Sequence, residues 1–400
     1  MAFAGWDWGS TTHDVTVIDD AGGKIERFPV PHTEDGIARA LARLACYGGP
    51  GELPVAIETT RGLVVDRLLT AGHPVIPVHP NAFHAARPRW GAARAKNDPG
   101  DGFKLADYAR TDGHRLPVLA PTLPQTLELQ ALTRQRGDHL GMRIAAVNQL
   151  AALLDTHWPG GRTIFASLHS PIALAFLDRY PSPQAAAGLT AARLEAFCRR
   201  HHYSGRRPGT ELLARLREAP TSASRLGEPV IAQLVRAQTG LVRSIQTSID
   251  ALDAVIADAL AAHPYARLLA DLPRVGTLNL AQIIGEVGPI LERANSFDQL
   301  AAETGIAPVT RSSGKIHTVA FRHATNQRAR QALVTWIDNS RRASDWADQR
   351  YTAARARGQR HPHAIRTLGR AWLRIIWACW RTKTCYDPTK KQPTQQPIAA

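Results

Sequence analysis

Four carboxylates stand where metal-dependent phosphodiester chemistry would want them: Asp7, Glu58, Asp98 and Asp101. Asp7 closes the first apolar run, Glu58 follows the fourth, and Asp98 and Asp101 flank a helix start. Three or four converging carboxylates suit two divalent cations, which polarise a phosphodiester and hold the attacking and leaving oxygens of an in-line displacement. An all-oxygen donor set favours magnesium. A bland reading competes at each position. Asp98 before Pro99 has the form of an N-cap with proline at N1, Asp101 then falls at N3 where an acid suits the helix dipole, and Glu58 before Thr59-Thr60-Arg61 has the form of a first-turn acid. Spacing alone leaves both readings open.

The elements that must carry these acids are legible from the hydrophobic pattern. Phe3–Trp8, Asp14–Ile18 and Lys24–Val30 read as a β-meander, with Asp19-Asp20-Ala21-Gly22-Gly23 as a turn. Ile37, Leu41 and Leu44 fall at helical spacing within Thr33–Cys46. Leu53–Ile57 is a compact strand, Gly62–Leu69 a helix and Val75–Val78 another strand. The order βββαβαβ is shared by ribonuclease H-like nucleases and by actin-like and sugar-kinase ATPases, and fold alone does not choose between them.

Helical patterns resume at Gly102–Arg110 and from about Leu127 to Leu154. The stretch from Pro159 to about Pro229 is punctuated by Pro and Gly, with a basic knot at Arg199, Arg200, His201, His202, Arg206 and Arg207, and reads as an insertion or linker. Ile231, Leu234, Leu241, Ile245, Leu252 and Val255 then fall in a seven-residue register on one helix to about Ala262, which fits a coiled-coil arm or an ordinary buried bundle helix. Beyond Tyr265 the pattern is all-helical, opening on a Pro-x-x-Gly turn at Leu272–Thr277 that resembles the phosphate-holding hairpin of helix-hairpin-helix modules. Four segments result: a domain over 1–158, a linker and helical arm over 159–264, a helical domain over 265–386, and a Pro/Gln/Lys-rich disordered tail over 387–400.

Charge narrows the partner. The chain carries a formal +15, and residues 311–391 hold 18 Lys and Arg against 4 acids, so nearly the whole excess sits there. A one-sided basic block fits a polyanion, nucleic acid ahead of membrane, although only seven lysines show that an arginine-favouring composition contributes. Four cysteines without C-x-x-C spacing argue against a disulfide framework and a ribbon-type zinc site. An acid as early as Asp7 and the lack of a long apolar run point to a cytoplasmic protein with no membrane partner.

The order of the four acids, with Lys96-Asn97-Asp98-Pro99-Gly100-Asp101 followed by Leu105-Ala106, resembles the DEDD signature of a family of bacterial insertion-sequence transposases, the RuvC-like, serine-containing recombinases guided by a bridge RNA. The second half carries its own likeness: Gly305–Lys315, reading GIAPVTRSSGK, resembles the family's Gly-Leu-x-Pro…Ser-Gly-Gly-Lys motif, and Leu-Pro-x-Val-Gly at Leu272 precedes it. The resemblance covers essentially the whole chain. It implies an α/β ribonuclease H-like (RuvC-like) N-terminal domain, a coiled-coil arm and an all-α C-terminal domain. It makes Asp7, Glu58, Asp98 and Asp101 magnesium ligands and Ser313 the nucleophile, with Ser312 the neighbouring candidate. Ser313 is preferred because it precedes the glycine, and the single glycine before Lys315 departs from the family pattern. Implied partners are double-stranded DNA, a guide RNA and further copies of the chain, as dimer or tetramer. Arg311, Lys315, Arg322, Arg328 and Arg330 follow as phosphate contacts, the last four on a short helical stretch. Arg134, Arg136 and Arg143 face RNA or solvent, and Trp336, Trp346, Trp372, Trp377 and Trp380 read as core.

Rival readings use the same residues differently. A junction-resolvase-like metal nuclease would employ the four acids with water as nucleophile, leaving Ser313 without a role. A nucleic-acid-binding protein with decayed acids is a non-enzymatic option. A sugar-kinase-like ATPase is suggested by Gly5–Thr11, but the second phosphate loop and glycine-rich adenosine motif that it requires are not found in the sequence.

Overall fold

The computed structural model describes residues 1–90, 98–313 and 316–390, leaving out the side chains of 98, 99, 311–313, 316 and 317. Strands β1 (Ala2–Asp7), β2 (Thr12–Asp19) and β3 (Lys24–Pro31) form the expected meander, followed by α1 (Glu34–Ala45), β4 (Val55–Ile57), α2 (Leu63–Thr70) and β5 (Val75–Pro77). The sheet order is β3-β2-β1-β4-β5, antiparallel through the meander and parallel from β1 to β4 to β5. Strand alternation divides its side chains between two faces. Ala4, Trp6, Val55 and Ile57 join Ile37, Leu44 and Leu68 of α1 and α2 in one core, while Ala56 and Ile76 join Phe83, Leu105 and Ala109 in the other. Phe83 belongs to α3 (Pro80–Ala86), which runs into a 3₁₀ turn at Arg87–Trp90; Leu105 and Ala109 belong to α4 (Asp98–Asp112). Truncating a fully buried residue such as Leu44 or Leu68 to alanine costs about 2–5 kcal/mol.

Helix α4 sits on β1 with almost nothing between the backbones. A Cβ built on Gly5 would lie 2.0 Å from Gly102 O and 2.5 Å from Ala106 N. That close approach is why position 5 carries glycine.

Two compact units divide the chain, one of Met1–Leu127, Arg267–Val275 and Glu286–Ala400, the other of Glu128–Ala266 and Gly276–Gly285. These limits differ from the four segments drawn from the sequence. Most of the second unit is helical: α5 (Pro124–His157, from residue 128), the short helices α6 (Pro159–Thr163), α7 (Pro171–Arg179), α8 (Pro183–Ala186), α9 (Ala191–Arg200) and α10 (Gly209–Glu218), then α11 (Glu228–Ala262). The stretch read as a linker is therefore built of helices whose Phe165, Phe176, Phe197 and Leu212 share a core with Leu150 and Leu154 of α5 and Ile231 and Val235 of α11. Helices α5 and α11 run antiparallel, joined by Arg136 to Asp253 at 2.7 Å and by Gln238 Nε2 to Ala146 O at 2.8 Å. The seven-residue repeat of α11 is displaced by one residue from the expected register. Ile231 is buried as expected, but the buried row at seven-residue spacing is Val235, Val242, Ile249 and Ile256, and Leu234, Leu241 and Val255 are exposed.

In the first unit the chain continues through α12 (Ala266–Leu269, from residue 267), α13 (Thr277–Arg293, from residue 286), α14 (Phe297–Glu303), β6 (Val309–Ser313), β7 (Ile316–Ala320), α15 (Gln327–Ser340), α16 (Asp345–Ala356) and α17 (His361–Thr382). The all-α expectation needs correction, because β6 and β7 pair antiparallel from Val309↔Ala320 to Ser313↔Ile316. Residues 316–326, within a stretch expected to be helical, are likewise strand and loop until α15 begins. Alternating Val309, Arg311 and Ser313 fit an extended strand, and Gly305, at φ +69°, ends the preceding helix. Trp336, Trp372 and Trp380 are buried as expected, Trp346 and Trp377 partly so. Tyr386 closes this core, its N–H donating to Leu268 O at 2.8 Å and its ring 5.9 Å from that of Trp372. Among the described residues no helix is long and apolar enough to cross a membrane.

Candidate active site

Parallel pairing sets the first two acids side by side. Trp6 pairs with Ile57, so Asp7 and Glu58 are the next residues on neighbouring strands, about 5 Å apart in backbone. Trp6 and Ile57 point into the α1/α2 core, which directs the following residues to the opposite face, the one covered by α4. Asp101, in the first turn of α4, is 5% exposed on that face. Asp7, Glu58 and Asp101 line one open pocket of about 750 Å³. Asp98 begins α4, but its side chain lies outside the described residues.

Charge around these acids is partly balanced by neighbours. Asp101 accepts from Arg87 Nη2 at 2.6 Å and from Lys104 Nζ at 2.9 Å. Asp14, opposite Asp7 in the β1–β2 register, accepts from Arg27 Nε at 2.9 Å, and both Asp14 and Arg27 line the pocket. His13 is buried at the pocket wall, its Nδ1 accepting the Gly9 N–H at 3.1 Å and its Nε2 2.9 Å from His32 Nδ1. An accepting Nδ1 places the proton of neutral His13 on Nε2, facing His32. Burial, and then the neighbouring His32, hold the His13 pKa below its ordinary value. Sequence reasoning missed Asp14, His13, Arg27 and Arg87. The available signal was alternation along β2, which sends Asp14 to the same face as Thr16 and toward α4, where a Cβ built on Gly102 would lie 3.2 Å from Thr16 Oγ1 and 3.3 Å from Asp14 Oδ2.

Three carboxylates on one wet pocket form a hard, all-oxygen donor set of the kind a divalent cation takes. Among the described residues, no group of three His, Cys, Asp or Glu side chains gathers closely enough to hold one ion. Both oxygens of Asp101 are already engaged by cationic side chains, which compete with any cation for that carboxylate.

The remaining predicted residues lie on or beside the β6–β7 hairpin. Ser312 and Ser313 are the last two residues of β6, and Arg311 precedes them; their side chains, and Lys315 entirely, lie outside the described residues. Arg322 donates to Ala307 O and Pro308 O, both at 3.2 Å, and Arg330 donates to Arg322 O at 2.7 Å while covering the Phe321 ring at 4.4 Å. These two arginines hold the hairpin base. Arg328 is exposed in the first turn of α15, after the Asn326 cap. Arg136 and Arg143, read as facing RNA or solvent, instead reach Asp253 and Gln246 of α11.

Comparison with known proteins places matches at both ends of this arrangement. Residues 4–159 match a DEDD-type family model described as transposase, and residues 266–352 match one described as transposase IS116/IS110/IS902 family. The chain is 31% identical to the mini-circle putative transposase for IS117 of Streptomyces coelicolor, over 96% of this chain and 95% of that protein. It is 27% identical to the insertion element IS900 uncharacterized 42 kDa protein of Mycobacterium paratuberculosis, over 96% and 97%. It is also 27% identical to the insertion element IS110 uncharacterized 43.6 kDa protein of Streptomyces coelicolor, over 100% and 98%.

Proposed function

The chain belongs to the IS110/IS116/IS902 family of insertion-sequence transposases, and from that premise we propose that it cuts and rejoins DNA by transesterification at a serine. The observation that carries this reading is that Asp7, Glu58 and Asp101 line one pocket, at the ends of β1 and β4 and the start of α4. The sheet order, an antiparallel meander extended by two parallel strands, supports a ribonuclease H-like domain. Asp7, Glu58, Asp98 and Asp101 would hold the divalent cations that the family's acidic signature calls for, magnesium being the natural choice for oxygen donors. When bound, such ions supply charge stabilisation at the phosphodiester and activation of an oxygen nucleophile.

Ser313 then attacks phosphorus through Oγ, its proton leaving to a base in the pocket. A P–O bond to serine forms as the P–O bond to the departing DNA oxygen breaks, that oxygen takes up a proton to become a free hydroxyl, and each strand break conserves its bond energy for rejoining. Activation of Ser313 requires the hairpin of this or another copy to meet the carboxylates; if another copy supplies it, the active form is a dimer or tetramer. Arg311, Lys315, Arg322, Arg328 and Arg330, all within the basic block of the sequence, are the phosphate contacts of this reading. Guidance by an RNA encoded in the element rests on the family likeness and would leave no base-reading code in the protein.

A covalent-adduct assay tests the proposal. Wild-type protein with magnesium, labelled DNA spanning the element's junction and RNA from its flanks should yield a protease-sensitive adduct. That adduct should vanish in Ser313→Ala and Asp7→Asn and persist in Ser312→Ala. Cleavage that survives Ser313→Ala without any adduct would establish water as the nucleophile, the reading favoured by an open pocket with room for it.

A further inference from the structure

Asp101 is the most buried acid of the pocket, and both of its oxygens are occupied by cationic side chains of the chain itself. Lys104 reaches Oδ1 from the next turn of the same helix, at 2.9 Å. Arg87 reaches Oδ2 from a different element, at 2.6 Å, through Nη2. Two positive charges on one carboxylate exceed what neutralising it requires. The Arg87 pairing also leaves a donor unused, since its Nε is buried without a hydrogen-bond partner among the described residues. Arginine satisfies carboxylates and phosphates best through its two-pronged edge, and a buried N–H without an acceptor bears its full desolvation penalty. The Arg87 guanidinium lies 5.1 Å from the centroid of the Phe83 ring, a flat support on which it can turn. Arg87 is only partly covered and lines the pocket with Asp7 and Glu58.

We propose that Arg87 is an exchanging residue: it pairs with Asp101 in the protein alone and moves to a phosphate of the nucleic acid when Asp101 turns to a divalent cation. The inference rests on the carboxylate pocket being the metal site. Lys104 can stay beside Asp101 because it shares its helix, whereas Arg87 makes a single hydrogen bond to Asp101 and holds the unsatisfied Nε. A phosphate offers Nε and Nη2 the paired acceptors that Asp101 does not. Metal and nucleic acid then assist one another, each removing the competitor that the other must displace, and linkage requires the two effects to be equal.

The test is Mn²⁺ binding to the full chain, read by electron paramagnetic resonance of the free ion, with and without a short DNA duplex. In wild type the duplex should tighten Mn²⁺ binding several-fold, and Mn²⁺ should tighten duplex binding by the same factor. Arg87→Gln should bind Mn²⁺ several-fold tighter without DNA and lose that mutual effect. Arg87→Lys keeps the charge on Asp101 and guards against misfolding; it should bind Mn²⁺ as wild type does but show a reduced mutual effect. Unchanged or weaker Mn²⁺ binding in folded Arg87→Gln, or full coupling in Arg87→Lys, overturns the exchange while the pocket reading stands. Mn²⁺ binding that Asp7→Asn does not weaken overturns the pocket reading, and the exchange with it.

Discussion

Asp7 and Glu58 stand at strand ends of a sheet packed on both faces, and Asp101 on the helix that covers one of them, whereas the serines of β6 sit on a two-stranded hairpin whose other strand is exposed at Thr318, Val319 and Ala320. The first region takes its geometry from a core. The second takes it from anchors at its base, chiefly Arg322 on two carbonyls and Arg330 on a third, because two strands alone are marginal in water. Damage to the first should therefore spread through its domain, and damage to the second should stay local while still removing function.

The sharpest way to break this contrast is Gly5→Val. Its side chain would enter the backbone of α4, so unfolding stability should drop by about 3 kcal/mol or more, visible as a shifted urea midpoint, with DNA cleavage lost. A Gly5→Val protein of wild-type stability would show that α4 is not seated as described. Next comes Asp7→Asn or Glu58→Gln, which neutralises a pocket carboxylate that the proposal makes a metal ligand, with little change in side-chain size. Strand cleavage should fall by about a thousandfold, the equivalent of several kcal/mol, with the urea midpoint nearly unmoved.

Arg322→Ala probes the hairpin. Its global cost should be about 1 kcal/mol, but amide exchange along β7 should accelerate and adduct yield should fall. Equal protection of β7 in the variant would mean that the hairpin is held by something other than its base. The smallest effect is one of pH. His13 has a folded pKa depressed by burial and by His32, and burial depresses His73 and His263 in the same direction. The unfolded chain binds protons that the folded chain refuses, so stability is fully present above about pH 6.5 and declines as pH falls through the window below it. Chemical denaturation at about pH 7.5 and about pH 5.5, on either side of the ordinary histidine pKa, should show that decline, lessened in His13→Gln.

The same contrast governs what the sequence disclosed. The meander, both crossover helices and the strand-end acids were legible because alternation and the Gly22-Gly23 turn act locally. The hairpin was missed because five-residue strands around a Ser-Ser-Gly-Lys segment carry little periodicity. In α11, Leu234, Leu241 and Val255 repeat at sevens as Val235, Val242, Ile249 and Ile256 do, and only the partner helix decides which row is buried. The Pro/Gly punctuation of 159–229 marked helix ends rather than a linker, as capping at Ser170, Ser182 and Thr190 shows. Arg87 left no local trace, because its meaning depends on Asp101 across a turn of tertiary structure.

Tyr386 also sets how far the C-terminus can be shortened. It is 6% exposed and ties the end of the chain to Leu268, far earlier in the sequence, while its ring covers Trp372. A chain stopped after Lys390 keeps every contact described for this region. One stopped at Thr382 uncovers an indole and strips the Leu268 carbonyl of its donor, so a purification tag belongs beyond residue 390 and trimming should stop short of Tyr386.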